Sequence, residues 1–349
     1  MKKTIRIGSK EIGKGKPSFV TAEIGLNHNG DPELAKKMIS EAASAGVDAV
    51  KFQIFHADSF ISKNIAKSKH QTKSLDEDTE VYQMWQRLEL SYDDLISLKN
   101  YAESLGVIFY ASAFDYASVD LLAGLNVGLY KIASGEITNL PLIKRMAILQ
   151  KPMMISVGMA SLGEIEDSIN TILQTGNDKI VLLHCVANYP TEYSNVNLQR
   201  INTLENIFHL PVGFSDHTVS LWPSIAAVTL GAVCIEKHFT LDKTLPGTDH
   251  LISADPVEMK ALIEGIRVCE ASFGSDKFEL LSTEIEGRTL FRRGMVAIRN
   301  LKQGSILTPE MITFKRPATG VEPKYLELII GKKINRDISD GEPITWQDF

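Results

Sequence analysis

The sequence predicts a closed parallel α/β barrel of the TIM (β/α)8 type followed by a small, mostly β second domain, and three observations lead there. Short β-branched or aromatic runs alternate with longer stretches of helical period. About eight such strand-then-helix units fill roughly 255 residues, a length that suits a closed barrel better than an open sheet. The pattern then changes after Gly274: a polar stretch, Ser275 to Arg288, leads into short strands and turn signals (Lys302-Gln303-Gly304, Asp340-Gly341) without a long amphipathic helix. The expected organisation is a catalytic barrel over 1–274, a linker over 275–287 and a β-rich domain over 288–349.

The strands are expected at roughly Phe19 to Glu23, Ala49 to Gln53, Val107 to Ala111, Leu129 to Ile132, Met153 to Ser156, Ile180 to His184, Val212 to Phe214 and Val233 to Glu236. Helices are expected between and after them, among them Pro32 to Ala45, Tyr92 to Leu105, Leu162 to Thr175 and Pro256 to Phe273. Asp31, Ser91, Asn139, Ser161 and Asp255 stand at helix entries, where short side-chain oxygens can satisfy the first free N–H groups. Leu34, Met38 and Ile39, and likewise Leu262, Ile263, Ile266 and Val268, are read as buried stripes. The connection from Ala57 to Thr79 is long and polar, as functional loops of barrels tend to be.

Apolar residues make up 44% and charged residues 23% of 349, ordinary globular usage, which excludes a disordered, collagen-like or coiled-coil chain. A net charge of −6 gives no general attraction to nucleic acid or to an anionic membrane, so an anionic ligand must find locally placed cations. Cys185, Cys234 and Cys269 are odd in number and widely spaced, as in a reducing compartment, and the N-terminus lacks the apolar core of a secretory signal; a cytoplasmic location is expected. The longest uncharged stretch, Val219 to Ile235, is broken by Pro223 and Gly231 and reads as a buried helix and strand, with no membrane span.

In a parallel barrel the active site lies at the carboxyl ends of the strands. Those ends supply Glu23, Lys51, Gln53, Ser112, Lys131, Ser134, Glu136, Ser156, His184, Ser215, Asp216, His217, Glu236 and His238. Lys51 with Gln53, and Glu236 with His238, are two apart and so project from one face of an extended segment. A lysine in a strand needs an anionic partner, because desolvating an unpaired ammonium costs several kcal/mol. Two readings stand side by side: pairing with Glu23 or Glu236, or binding a phosphate or carboxylate with the serines as further donors. His217 and His238 end consecutive strands and either converge on one divalent ion or are hydrogen-bonded residues of a polar mouth. His184 reads as a satisfied barrel histidine, Cys185 as a small core residue, and Asp249 as either a site or a loop aspartate.

Several segments then carry a resemblance. AEIGLNHNG (22–30), AGVDAVKFQ (45–53), YKIASGEITNLPLI (130–143), SVGMASLGEIE (156–166), LLHCVANYPTEYSNVNL (182–198), GFSDHT (213–218), IEKHFTLDKTLPGTDH (235–250) and FKRPATG (314–320) together resemble the sialic acid synthase family. The resemblance covers essentially the whole chain. It implies a TIM barrel followed by a SAF, or antifreeze-like, domain, and a transferase that condenses phosphoenolpyruvate with an N-acylated hexosamine to give a nonulosonic acid and phosphate. It also implies a divalent metal, Mn2+ or Mg2+, with His217 and His238 as ligands. By the same motifs Lys51, Lys131, Ser134, Ser156 and Ser215 look like phosphoenolpyruvate contacts, and Glu23, Tyr189, Glu236 and Asp249 fall at active-site positions. Arg316 looks like the residue that the small domain sends into a partner's barrel to hold the acyl group, which implies a domain-swapped homodimer. The chain departs from the family pattern at Ala133, Val157, Ala187, Thr248 and Gly294, and none of these removes an expected metal ligand or lysine. The competing functions are another barrel enzyme with a histidine-bound metal, an aldolase or a hydrolase, and a noncatalytic carbohydrate-binding or ice-binding protein.

Overall fold

The computed structural model describes residues 4–64 and 80–349; most of the long polar connection noted above lies outside the described residues. The chain forms two compact units, Met1–Phe273 and Gly274–Phe349. The first runs β1 (Thr4–Ile7), β2 (Lys10–Gly13), β3 (Phe19–Gly25), α1 (Pro32–Ala45), β4 (Ala49–Ile54), α2 (Ala57–Phe60), α3 (Val81–Arg87), α4 (Tyr92–Ser104), β5 (Ile108–Ala113) and α5 (Tyr116–Gly124). It continues through β6 (Tyr130–Ile132), α6 (Leu140–Ala147), β7 (Met153–Ser156), α7 (Leu162–Leu173), β8 (Ile180–His184), α8 (Arg200–Phe208), β9 (Val212–Asp216), α9 (Trp222–Thr229), β10 (Cys234–His238) and α10 (Pro256–Ser272).

Strands β3 to β10 close into a barrel in sequence order, β10 pairing with β3, and all its pairs are parallel. The barrel expectation therefore holds, and the strand boundaries move by one or two residues. All five expected entry residues cap their helices by accepting a backbone N–H: Asp31 from Glu33, Ser91 from Asp94, Asn139 from Leu142, Ser161 from Glu164 and Asp255 from Glu258. One element of the expected core is wrong. Val268 is 66% exposed while Leu262 and Ile266 are fully buried. Two residues beyond Ile266, a helix has turned by roughly 200°, so Val268 points away from the stripe.

Two apolar layers hold the barrel. Between strands and helices lie residues such as Ile24, Met38, Leu98, Ile132 and Ile169. Inside the barrel's amino-terminal end, Phe19, Tyr110, Leu129, Met154 and Val181 meet Ile5, Ile7 and Ile12 of a β1–β2 hairpin that the sequence reading did not anticipate. Four-residue strands give periodicity little to work on.

The second unit contains α11 (Ser282–Phe291), a helix across the end of the stretch read as a polar linker, and an antiparallel pair, β11 (Gly294–Ala297) and β12 (Ile312–Lys315). Its core gathers Met295, Leu307, Ile329, Ile338 and Ile344. The expected turns are present, with Gly304 and Gly341 at φ of 86° and 78°. Gly320 is required sterically, since a Cβ there would lie 2.3 Å from the Met295 carbonyl oxygen.

Candidate active site

Alternation along the strands sends every second side chain into the barrel, and at the carboxyl ends those side chains are charged. Register places Glu23 beside Lys51, Ser112 beside Lys131, Ser215 beside Glu236, and His238 beside Glu23. Lys51 Nζ lies 3.0 Å from Glu23 Oε2 and 3.5 Å from Glu236 Oε1, and Lys131 Nζ is 3.9 Å from the same Glu236 oxygen. Lys131 donates to Ser156 Oγ at 2.7 Å and to the Ile132 carbonyl at 3.1 Å. Ser215 Oγ donates to Glu236 Oε1 at 2.9 Å, and Gln53 Nε2 to Glu23 Oε1 at 3.0 Å. Gly25 makes this packing possible. It has φ of 54° at a register shift of β3 against β4, and a Cβ there would meet Glu23 Oε1 at 3.0 Å and Gln53 Nε2 at 3.2 Å.

The two carboxylates are pushed apart. Burial raises Glu23 to about 7 against the pull of Lys51, and the neighbouring Glu236 charge adds to the rise. Glu236 is as deeply buried, but Lys131 and Lys51 together with the Ser215 hydroxyl outweigh desolvation and hold its carboxyl well below the usual range. Near neutral pH the cluster thus holds two lysines, one firmly ionised carboxylate and one carboxyl able to take or give a proton. Glu23 Oε2 faces the Lys51 ammonium, and Glu236 Oε2 is buried without a hydrogen-bond partner, which leaves acceptor capacity within the cluster.

His217 and His238 follow at the same rim, with ring centroids 5.5 Å apart. Burial lowers both, His238 to about 3, so both imidazoles are neutral. His217 Nδ1 faces the Val186 carbonyl at 2.7 Å, which assigns that nitrogen the proton and leaves Nε2 as a lone pair. His238 Nδ1 has no hydrogen-bond partner and lies 3.7 Å from Asp249 Oδ2. Tyr189 packs on both rings, at 4.3 Å from His217 and 6.0 Å from His238. Neutral imidazoles with available lone pairs suit a divalent ion. Among the described residues no group of three or more His, Cys, Asp or Glu converges on one point, so the two imidazoles are what this rim would offer such an ion.

Above this cluster opens a mouth of about 660 Å³ whose wall includes Gln53, Trp85, Phe114, Met159, Asn188 and Glu192. Of the residues expected at the site, Glu23, Lys51, Gln53, Lys131, Ser156, Ser215, Glu236, His217, His238, Tyr189 and Asp249 come together, and Ser134 lines the mouth. Glu136 accepts from Asn139 Nδ2 at 2.8 Å at the entry of α6 and is not part of that lining. Asp216, expected at the rim with its neighbours, points outward instead, to Ser224 of α9 and Lys237. The period of two that aims Ser215 and His217 inward requires this. His184 bonds the Val196 carbonyl and Cys185 is buried, as expected. Arg316 belongs to the second unit, where its guanidinium lies 5.9 Å over the Phe291 ring. Trp85, Phe114 and Met159 escaped the sequence reading, because they stand on α3 and in loops that no strand-end rule selects.

Residues 38–278 match the NeuB family and residues 292–349 the SAF domain. The chain is 42% identical over 344 residues to the N,N'-diacetyllegionaminic acid synthase of Legionella pneumophila, covering 97% of each chain. It is 34% identical to the human N-acetylneuraminate-9-phosphate synthase over 95% of this chain and 93% of that one. Among solved structures, an N-acetylneuraminic acid synthetase from Leptospira borgpetersenii in complex with citrate superposes with a TM-score of 0.72 at 33% identity, covering 81% of this chain and 94% of the other. By family match, by full-length identity and by fold, this chain belongs to the NeuB family and carries a C-terminal SAF domain.

Proposed function

We propose that the protein condenses phosphoenolpyruvate with an N-acylated amino sugar, giving a nonulosonic acid and inorganic phosphate, and that the acceptor is a diacetamido-trideoxyhexose. One observation carries the reading: Lys51 and Lys131 are buried within reach of serine hydroxyls, and a proton-holding carboxyl and two neutral imidazoles share the same rim. Lys51, Lys131, Ser134, Ser156 and Ser215 hold the phosphate and carboxylate, which align C3 of the enol with the aldehyde carbon of the open sugar. A new bond forms between these carbons, water attacks C2, and the C2–O bond breaks as phosphate leaves. Glu23 Oε2, beside Lys51, manages the proton of the aldehyde oxygen or of the water. Glu236, fixed as an anion, holds the two ammoniums in place and faces the positive charge that develops at C2.

His217 and His238 would hold a divalent ion, Mn2+ or Mg2+, which when bound supplies Lewis acidity to the aldehyde oxygen. The apolar side of the mouth, Trp85, Phe114 and Met159, favours a deoxy sugar over a fully hydroxylated one, in keeping with the identity to a diacetyllegionaminic acid synthase. Arg316 is assigned to the acyl group of the sugar in a partner's barrel, which makes the working unit a domain-swapped homodimer. Among the described residues no helix is long and apolar enough to cross a membrane.

The test is phosphate release measured with phosphoenolpyruvate, a panel of N-acyl hexosamines and metal, each omitted in turn, with product mass by mass spectrometry. Release should need all three and be fastest with the diacetamido sugar. Release from phosphoenolpyruvate without the amino sugar would point to a hydrolase, and a product that keeps its phosphate to an aldolase. Mixing inactive Arg316→Ala with inactive Lys131→Ala should restore activity through heterodimers; verified subunit exchange without recovery refutes the shared site.

A further inference from the structure

Behind the rim, on the outer side of β9 and β10, lies a buried ion pair with no part in the chemistry above. Lys237 is 1% and Asp216 0% exposed, and their Cα atoms face each other in the β9–β10 ladder with Nζ 3.5 Å from Asp216 Oδ2. The pair is fully satisfied. Asp216 Oδ1 accepts the Thr218 N–H at 2.8 Å and Oδ2 the Ser224 hydroxyl at 2.6 Å, while Lys237 Nζ donates to the Thr218 carbonyl. These bonds bracket one residue. Asp216 precedes His217 and Thr218 follows it, so the side chain of Asp216 closes a loop around His217, and the ammonium ties that loop to the residue immediately before His238.

We infer that the Lys237–Asp216 pair is a positioning device that fixes the spacing of the two imidazoles. The inference rests on the proposed role of His217 and His238 as a shared metal site. A well-packed apolar pair of similar volume generally serves stability as well as a buried ion pair. A tie across two strands, with direction set by four named polar contacts, does what apolar packing does not: it locks two strand ends that run on into loops. Other contacts complete the setting of His217, whose carbonyl accepts the Thr191 N–H at 2.9 Å and whose Nδ1 is fixed by Val186. His238 is held by its pairing with Glu23 in the β3–β10 ladder and by its carbonyl, which accepts the Ala254 N–H at 2.7 Å, and Lys237 ties this strand end to the loop around His217. Groups that orient metal ligands from behind typically change metal affinity by 10–100-fold.

The decisive variant is the double Asp216→Asn/Lys237→Met, which removes the tie without leaving an unpaired buried charge. Thermal melting and Mn2+ titration calorimetry are run on the full-length protein, the double, both singles, Ser224→Ala and His217→Ala. The double should melt above either single, bind Mn2+ 10–100-fold more weakly than the parent, and regain turnover as Mn2+ is raised. Ser224→Ala, which loses one hydroxyl, should weaken Mn2+ at least threefold with little change in melting; it decides the matter should the double fail to fold. Parent-like Mn2+ affinity in the double, or in Ser224→Ala when the double is unfolded, overturns the positioning role. A parent protein that binds no Mn2+, or a His217→Ala variant that binds it normally, overturns the metal site itself and this inference with it.

Discussion

The two ends of the barrel are made by the same eight strands and obey opposite rules. At the amino-terminal end the inward side chains are Phe19, Tyr110, Leu129, Met154 and Val181, closed over by Ile5, Ile7 and Ile12 of the hairpin. At the carboxyl end they are Glu23, Lys51, Lys131, Glu236 and His238, equally buried and densely charged. Apolar burial contributes stability in proportion to area, roughly 25 cal/mol per Å². Buried charges contribute little net stability and lose much if one partner is removed. The difference teaches that the strands divide the labour along their length: one end keeps the cylinder closed so that the other can hold an arrangement that would not form alone.

The sharpest way to break that division is Lys51→Met. It leaves Glu23 and Glu236 without the cation between them and removes one of the two ammoniums proposed to hold the phosphate. Steady-state kinetics should show kcat/KM for phosphoenolpyruvate lowered by about 10³-fold or more, on the order of 4 kcal/mol of transition-state stabilisation. A loss below tenfold would mean that the lysine serves the carboxylates and not the substrate.

The hairpin gives the converse. Ile12 is fully buried and pairs with Ile5 across β1 and β2. Ile12→Ala should lower the free energy of urea unfolding by about 2–5 kcal/mol, the usual range for a buried isoleucine cut to alanine, while kcat in the folded protein stays within twofold. If kcat falls in step with stability, the two ends are coupled and the division fails.

A smaller effect concerns pH in the metal-free protein. Glu23 is raised from 4.5 to about 7, so the folded chain holds this proton more tightly than the unfolded one. Its contribution is therefore fully present below about 4.5 and is lost as pH climbs through 7, with a slope of at most about 1.4 kcal/mol per pH unit. Glu236, held low, works in the other direction: its contribution is present above its ordinary value and lost on acidification below it. Glu23→Gln should remove the loss between pH 4.5 and 7 and leave the acid limb alone, as read from urea midpoints across that range. Parallel profiles for parent and variant would show Glu23 ionised throughout.

How much of this was legible beforehand follows from what periodicity records. Strand ends were readable because a period of two joined to a rule about barrel ends selects residues such as Lys51, Gln53, Glu236 and His238, and the caps were readable because Asp31, Ser161 and Asp255 act within three residues of themselves. The β1–β2 hairpin was not, since its role as a plug depends on contacts with Phe19 and Met154 far along the chain. Trp85 and Phe114 were missed for the same reason: a tertiary meeting of α3 with the loop after β5 has no local pattern. Asp216 is the exception that the same period accounts for: alternation against Ser215 and His217 turns it to the outer face, toward Ser224 and Lys237.

Val268 tests the least of these effects and the same lesson on a helix. Read as part of the buried stripe of α10, it should behave like Ile266; seen at 66% exposure, it should behave like any surface residue. Surface changes away from special features usually fall within about 0.5 kcal/mol, whereas placing a hydroxyl at the fully buried Ile266 loses apolar contacts and adds a desolvated polar group. Val268→Ser should therefore leave the urea midpoint almost unchanged while Ile266→Ser lowers it strongly. A Val268→Ser loss above about 1 kcal/mol would mean that this face of α10 is covered in solution, and that the stripe inferred from spacing was wider than a single chain displays.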